Sequence, residues 1–308
     1  MTKPRQHLRG QVVLLTRRTE ERRYFLRPST HVCRVVLYEL AKAADTNGLA
    51  VHGLMTMSNH PHIVATDHEG ERSDFMRDFG AGVARARNRR LDRKGHFWDG
   101  QQFGDTVLLD RQAIEEKLLY MWLNPVQANL VERAADWPGP KILPSDWGKP
   151  RVISAPQDGF YNPKKAKMIV FTPQPPPGYE DMTLEEVREH FETLLREAED
   201  KLIARRRRAG KRVSGVRRVL QLDPNDAPST RARRGKLNPR FASRDPVLME
   251  RALDERQQFH ADYDEANAGW RRGNRSVVFP AGTIRHRKVN NADCHDPLGC
   301  EVTVFCAA

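Results

Sequence analysis

Two apolar runs, residues 50–57 and 60–66, are separated by only Ser58 and Asn59. A two-residue connection can join only antiparallel neighbours, so this stretch predicts a β-hairpin. The apolar run 11–16 reads as a strand before it. Ser29 or Thr30 can cap an intervening helix through Val35, Leu37, Leu40 and Ala44, which Asn47-Gly48 stops near Thr46. After the hairpin, residues 74–91 carry Phe75, Phe79, Val83 and Ala86 at helical spacing. Residues 106–109 form a last short strand, and Asp110 caps a helix from Arg111 to about Asn124. Pro125 predicts the end of that helix, because proline disfavours the helical conformation in the residue before it. The order β-α-β-β-α-β-α is an α+β pattern: an antiparallel sheet with helices on one side.

The hairpin carries His60-Pro61-His62. Side chains alternate along a strand, so both imidazoles project from the same face and form half of a divalent-metal clamp. Tyr120 and Asn124, four apart on the last helix, lie one above the other. A histidine pair, an amide oxygen and a phenol amount to a Lewis-acid site beside a nucleophile. The amide oxygen of Asn124 favours Mg²⁺ or Mn²⁺ over a metal held by nitrogen alone.

Several segments together resemble a known family. They are Arg22-Arg23-Tyr24-Phe25-Leu26-Arg27-Pro28-Ser29, Val51-His52-Gly53 leading into Met57-Ser58-Asn59-His60-Pro61-His62, and Tyr120 through Asn124-Pro125-Val126. In order and spacing, residues 11–138 resemble HUH transposases with a single catalytic tyrosine, in the branch of REP-associated tyrosine transposases. The resemblance implies a ferredoxin-like (RRM-like) core, with His60, His62 and Asn124 as metal ligands and Tyr120 as nucleophile. It also implies a 5′-phosphotyrosine intermediate and single-stranded or hairpin DNA as substrate. Pro61 departs from the family pattern, which has a hydrophobic residue between the histidines. An alternative reading is therefore a non-catalytic DNA-binding protein that keeps the transposase fold.

Charge divides the chain. Residues 196–244 hold 16 Lys and Arg against 5 Asp and Glu, out of a net charge of +12 for the whole sequence. So concentrated an excess suggests a polyanion as partner. Arg205, Arg206, Arg207, Arg208, Lys211, Arg212, Arg217 and Arg218, with Arg22 and Arg23 near the hairpin, are the expected DNA contacts. Arg231, Arg233, Arg234 and Lys236 continue the run. Residues 1–140 then form the catalytic domain, the Pro-rich stretch 141–180 a linker, and residues 181–308 a basic, mostly helical extension. Thr183 and Glu186 form a capping-box pattern at the start of its first helix.

No glycine-rich phosphate loop occurs, so no nucleotide cofactor is expected. The opening residues lack the apolar core of a secretory signal, and no apolar run reaches the roughly 18 residues of a membrane span. A cytoplasmic protein is expected, as a monomer or homodimer. Cys294-His295, Cys300 and Cys306 lack the paired spacing of a zinc knuckle and read as incidental thiols.

Overall fold

The computed structural model describes residues 3–162, 164, 166–230 and 239–296. Arg231, Arg233, Arg234, Lys236, Cys300 and Cys306 lie outside these residues. β1 (Gln11–Thr16), α1 (Thr30–Asn47), β2 (Leu49–Met57), β3 (His60–Asp67), α2 (Arg72–Arg90), β4 (Gly104–Leu108) and α3 (Arg111–Gln127) follow in the predicted order. Ser29 caps α1 by accepting from the Val32 N–H at 3.1 Å, and Asp110 caps α3 by accepting from the Ala113 N–H at 2.6 Å. Gly48 closes α1 at φ 66°, a left-handed turn that costs glycine little.

The central strands lie in the order β2–β3–β1–β4, all antiparallel, which is the arrangement of a ferredoxin-like sheet. The chain continues through β5 (Lys141–Ile142), the hairpin β6 (Arg151–Ile153) and β7 (Ile169–Phe171), α4 (Leu184–Arg208) and α5 (Val216–Leu220). It ends, within the described residues, with β8 (Phe241–Ala242), α6 (Pro246–Arg271) and α7 (Ile284–Asn290). β5 extends the sheet beside β2, antiparallel, and β8 extends it beside β4, parallel. No described helix is long and apolar enough to cross a membrane.

Helices cover both faces of the sheet, not one. α1 and α2 bury Val35, Leu40, Phe75 and Phe79 against Val13, Leu15, Ile63 and Ala65. On the opposite face, α3 and α4 bury Leu118, Met121, Trp122 and Phe191 against Val12, Leu14, Met55 and Val64. The alternation along β1 specifies this: its odd and even residues are both apolar, so both faces need a cover. α3 lies close to β2 because Gly53 has no side chain. A Cβ there would stand 2.4 Å from Met121 Cε and 3.0 Å from Leu118 Cδ2.

The stretch 141–180, whose prolines suggested a linker, is packed onto the core. Trp147 is fully buried and donates its indole N–H to the His52 carbonyl at 2.7 Å, and the Gln174 N–H bonds the Val51 carbonyl at 3.0 Å. These anchors meet a β-bulge between Val51 and Gly53. At the bulge, the His52 ring bonds Thr66 Oγ1 at 2.7 Å and the Gln174 carbonyl at 3.0 Å.

Burial lowers the His52 imidazole to about 4, against the opposing pull of its bond to Gln174. Its unfolded value is near 6.5, so between these values the unfolded chain binds the extra proton and stability falls as pH drops. From about pH 7.5 to about pH 5 this one group should remove about 2 kcal/mol. Urea unfolding at the two pH values should therefore show a smaller acid loss for His52→Gln than for the parent, whereas equal losses would show that His52 is protonated in the fold.

Candidate functional site

His60 and His62 project from β3 toward α3, on the same face as Val64. Their ring centroids are 4.7 Å apart, and the His62 ring stands edge-on to the Tyr120 ring at 5.7 Å. The structure thus brings together two of the predicted ligands and the predicted nucleophile. Tyr120 is 45% exposed, so the nucleophile expected from the sequence is open to solvent. Lys117, one turn earlier on α3, lies 5.9 Å from the Tyr120 ring centre.

The two imidazoles differ in their partners. His60 Nδ1 lies 2.6 Å from Asn59 Oδ1, while Asn59 Nδ2 donates to the Arg22 carbonyl at 2.9 Å. A carbonyl can only accept, which fixes the Asn59 amide. Its Oδ1 then accepts a hydrogen bond from the His60 Nδ1–H, and His60 Nε2 keeps a bare lone pair. His62 is 5% exposed, and neither of its ring nitrogens has a hydrogen-bond partner. Burial lowers the imidazole of His62 to about 4, with Arg18 adding to the effect. Burial, then His62, Arg18 and Arg22, lower His60 well below the usual range. Both rings are therefore neutral near pH 7, the form that ligates a metal.

Asn124 lies one turn beyond Tyr120, with its amide turned onto its own helix. Nδ2 donates to the Tyr120 carbonyl at 2.9 Å and reaches the Met121 carbonyl at 3.4 Å. Pro125 explains this bond. α3 does not stop at Asn124 but runs through Pro125 to Gln127, and proline has no N–H to give the Met121 carbonyl. The Asn124 side chain takes over that carbonyl, which leaves Oδ1 as its polar atom without a hydrogen bond among the described residues. Among the described residues, no group of three or more His, Cys, Asp and Glu could hold a metal ion. A cation at this site would rest on the histidine pair, with the Asn124 oxygen as the third expected donor. The orphaned nitrogens of buried His62 fit that role, because a buried polar group without a partner is costly.

Pro61 does not disturb the strand. Its partner on β2, Thr56, sends its own N–H to the Pro140 carbonyl and takes the Trp137 indole N–H on its carbonyl, both away from β3. Thr56 and Pro61 are thus a pair without mutual hydrogen bonds, and the ladder to β2 needs no N–H from residue 61. On the other side, the ladder to β1 ends at Thr16 opposite His62.

The expected DNA contacts divide by environment. Arg205, Arg207, Arg208, Lys211, Arg212, Arg217 and Arg218 are exposed. Arg206 is not available, since it is buried and pairs with Glu132 at 2.7 Å. Arg23 pairs with Glu21 at 2.6 Å, and Arg22 donates to Thr230. The four arginines ending α4 also face the negative pole of that helix, a structural reason for cations there. The segment after α4 bonds residues 129 and 130 past the end of α3, then returns to bond Tyr24 and Arg27 near His60. α5, with exposed Arg217 and Arg218, spans the stretch between these anchors. Trp98, Trp122, Trp137 and Trp147 are buried, each with its indole N–H on a backbone carbonyl, so none can stack on a base.

Two residues of the site escaped the sequence reading. Asn59 looked like a turn residue, although its place directly before His60 was a signal. Arg18, two residues past Thr16, is exposed and close enough to act on both histidines. Only the register of β1 on β3 reveals it.

No family model matches the chain, and no curated protein does. Among solved structures it is similar to a REP-associated tyrosine transposase bound to a REP hairpin, at 17% identity and a TM-score of 0.40, over 47% of this chain and 85% of that one. It is also similar to a candidate transposase from Deinococcus radiodurans R1, at 18% identity and a TM-score of 0.26, over 34% of this chain and 84% of that one. These likenesses concern the course of the backbone and assign neither chemistry nor ligand.

Proposed function

We propose that this chain is a transposase-like enzyme that nicks and rejoins single-stranded DNA, with hairpin or palindromic-repeat DNA as substrate. The observation that carries the reading is the His62 ring, buried with two unpartnered nitrogens and set edge-on to an accessible Tyr120. Tyr120 Oη attacks the scissile phosphorus, and the bond from phosphorus to the 3′-oxygen breaks. The phenol proton passes to solvent and the departing 3′-oxygen takes one up, so a 5′-phosphotyrosine and a free 3′-hydroxyl result. Attack by a 3′-hydroxyl reverses the step and reseals a strand. Each bond broken is replaced by one of the same kind, so no nucleotide cofactor is needed.

Mg²⁺ or Mn²⁺, which His60, His62 and Asn124 would hold, supplies Lewis-acid stabilisation of charge on the scissile phosphate. Asn59 keeps His60 in the tautomer that presents Nε2. Arg18 supplies a cation beside the same site, and the exposed arginines from α4 to α5 hold the DNA backbone without reading its sequence. Pro61 gives no support to the non-catalytic alternative, since it removes no bond from the β2 ladder.

The test is cleavage of a hairpin oligonucleotide with Mn²⁺, together with Mn²⁺ binding followed by titration calorimetry. His60→Ala combined with His62→Ala should abolish cleavage and weaken Mn²⁺ binding on the order of a hundredfold, the scale of losing metal-site groups. Unchanged Mn²⁺ affinity in the double variant would refute the clamp.

A further inference from the structure

At the far end of the strands from His60 and His62, the segment before β1, the β4–β8 edge and the middle of α6 border a cavity of about 50 Å³. β1 sets the separation: Thr16 is in register with His62, whereas Gln11, at the other end of the strand, lines the cavity. That distance is roughly 16 Å. Lys3, Arg5, Arg72, Arg240 and Arg256 line the cavity with a single carboxylate, Asp105.

The arginines outnumber their partners. Arg72 is fully engaged, with Asp67, with both oxygens of Asp105 and with the Gln6 carbonyl. Lys3 pairs with Asp264. Arg5 stacks over the Phe103 ring at 4.2 Å and gives Nη2 to the Phe103 carbonyl, but its Nε and Nη1 are buried without a hydrogen bond. The nearest carboxylate oxygen, Asp105 Oδ2, is 3.6 Å from Nη1 and already shared with Arg72. Neither Arg240 nor Arg256 makes a side-chain hydrogen bond or ion pair among the described residues. Burial lowers the Arg5 guanidinium to about 10, with Asp105 opposing and Arg240 and Arg72 adding to the effect. Burial lowers Arg240 as well. Three guanidiniums thus converge on a space that holds too little negative charge for them.

We propose that this cavity is an anion site that binds a phosphate group, either from a nucleic-acid backbone or as a free anion. Guanidiniums favour phosphate oxygens, and the wall offers two unused Arg5 donors, Nε and Nη1, one on each edge of its guanidinium. The volume suits a group the size of a single phosphate. The site is independent of the proposed cleavage chemistry, since no residue is shared.

Thermal unfolding and calorimetry of the full chain with inorganic phosphate, against chloride at equal ionic strength, test it. The parent should gain thermal stability with phosphate, and Arg240→Gln with Arg256→Gln should lower phosphate affinity about tenfold or more. Arg256→Gln alone, at a half-exposed position on α6, keeps the test sound if the double variant folds poorly. No phosphate-specific gain in the parent, or an undiminished gain in the variants, would overturn the proposal. A single-stranded oligonucleotide separates the two sources. If a backbone phosphate is the ligand, the variant's slope of log affinity against log salt becomes shallower by about 0.7. If the ligand is a free anion, the phosphate response is lost while that slope stays unchanged.

Discussion

Tyr120→Phe is expected to bind a hairpin oligonucleotide as the parent does and to leave no covalent protein–DNA species on a denaturing gel. The substitution removes one oxygen from a ring that is 45% exposed and makes no hydrogen bond through that oxygen among the described residues. Stability and the edge-on contact with His62 should therefore survive. The chemistry should not: loss of a nucleophile lowers turnover by on the order of 10⁴-fold or more. A persisting adduct would move the nucleophile to another tyrosine. The surroundings of two of the five other tyrosines make that hard to accommodate. Tyr161 and Tyr179 donate to Glu39 and Glu115, and burial first, then those carboxylates, push both phenols well above the ordinary range.

The second large effect concerns stability. Phe191→Ala should cost about 3–5 kcal/mol and lower the urea midpoint accordingly, while Glu192→Ala beside it on α4 should change little. Phe191 is fully buried, with its ring 5.1 Å from Trp147, 6.2 Å from Trp122 and 5.2 Å from Tyr179. Trp122 is on α3, two residues past Tyr120, so α4 supports the helix that carries the proposed nucleophile. Ending the chain near Gly178 would strip this cover. Charge alone marks residues 181–308 as a separate DNA-binding extension; the packing makes their removal a disruption of the face that carries the proposed nucleophile. A midpoint unchanged in Phe191→Ala would show that α4 does not support that face.

The central βαββαβ order was readable because each element carries its own punctuation: Ser29 and Asp110 as caps, Gly48 as a stop, Ser58-Asn59 as a turn. The gathering of His60, His62 and Tyr120 was readable from strand and helix periodicity with the family resemblance. Asn124 follows Tyr120 by one turn of α3, as the spacing predicts, but its bond to the Met121 carbonyl depends on how the helix absorbs Pro125, and residue type alone does not disclose that. Proline content misled over residues 141–180, where buried Trp147 and the bulge at His52 hold the chain to the sheet. Charge counting misled at Arg206, because pairing with Glu132 depends on tertiary contact. The cover on the second face was signalled by the apolar run in β1 and by Val187, Phe191 and Leu195 at helical spacing, yet nothing local joins the two.

β8 has a consequence for the order in which the molecule is assembled. During synthesis β4 emerges long before Phe241, its parallel partner opposite Val107. Until then one border of the sheet has unpaired N–H and C=O groups, the kind of border on which other chains can add. The closing contacts span almost the whole described chain, as in the bond from the His7 N–H to the Gly282 carbonyl at 3.2 Å. Pairings so distant in sequence form late and slowly. A nascent chain stalled before β8 therefore has its proposed cleavage residues in place on a sheet that can still recruit a neighbour, and pulse-labelled hydrogen exchange should find β4 protected after β1 and β3.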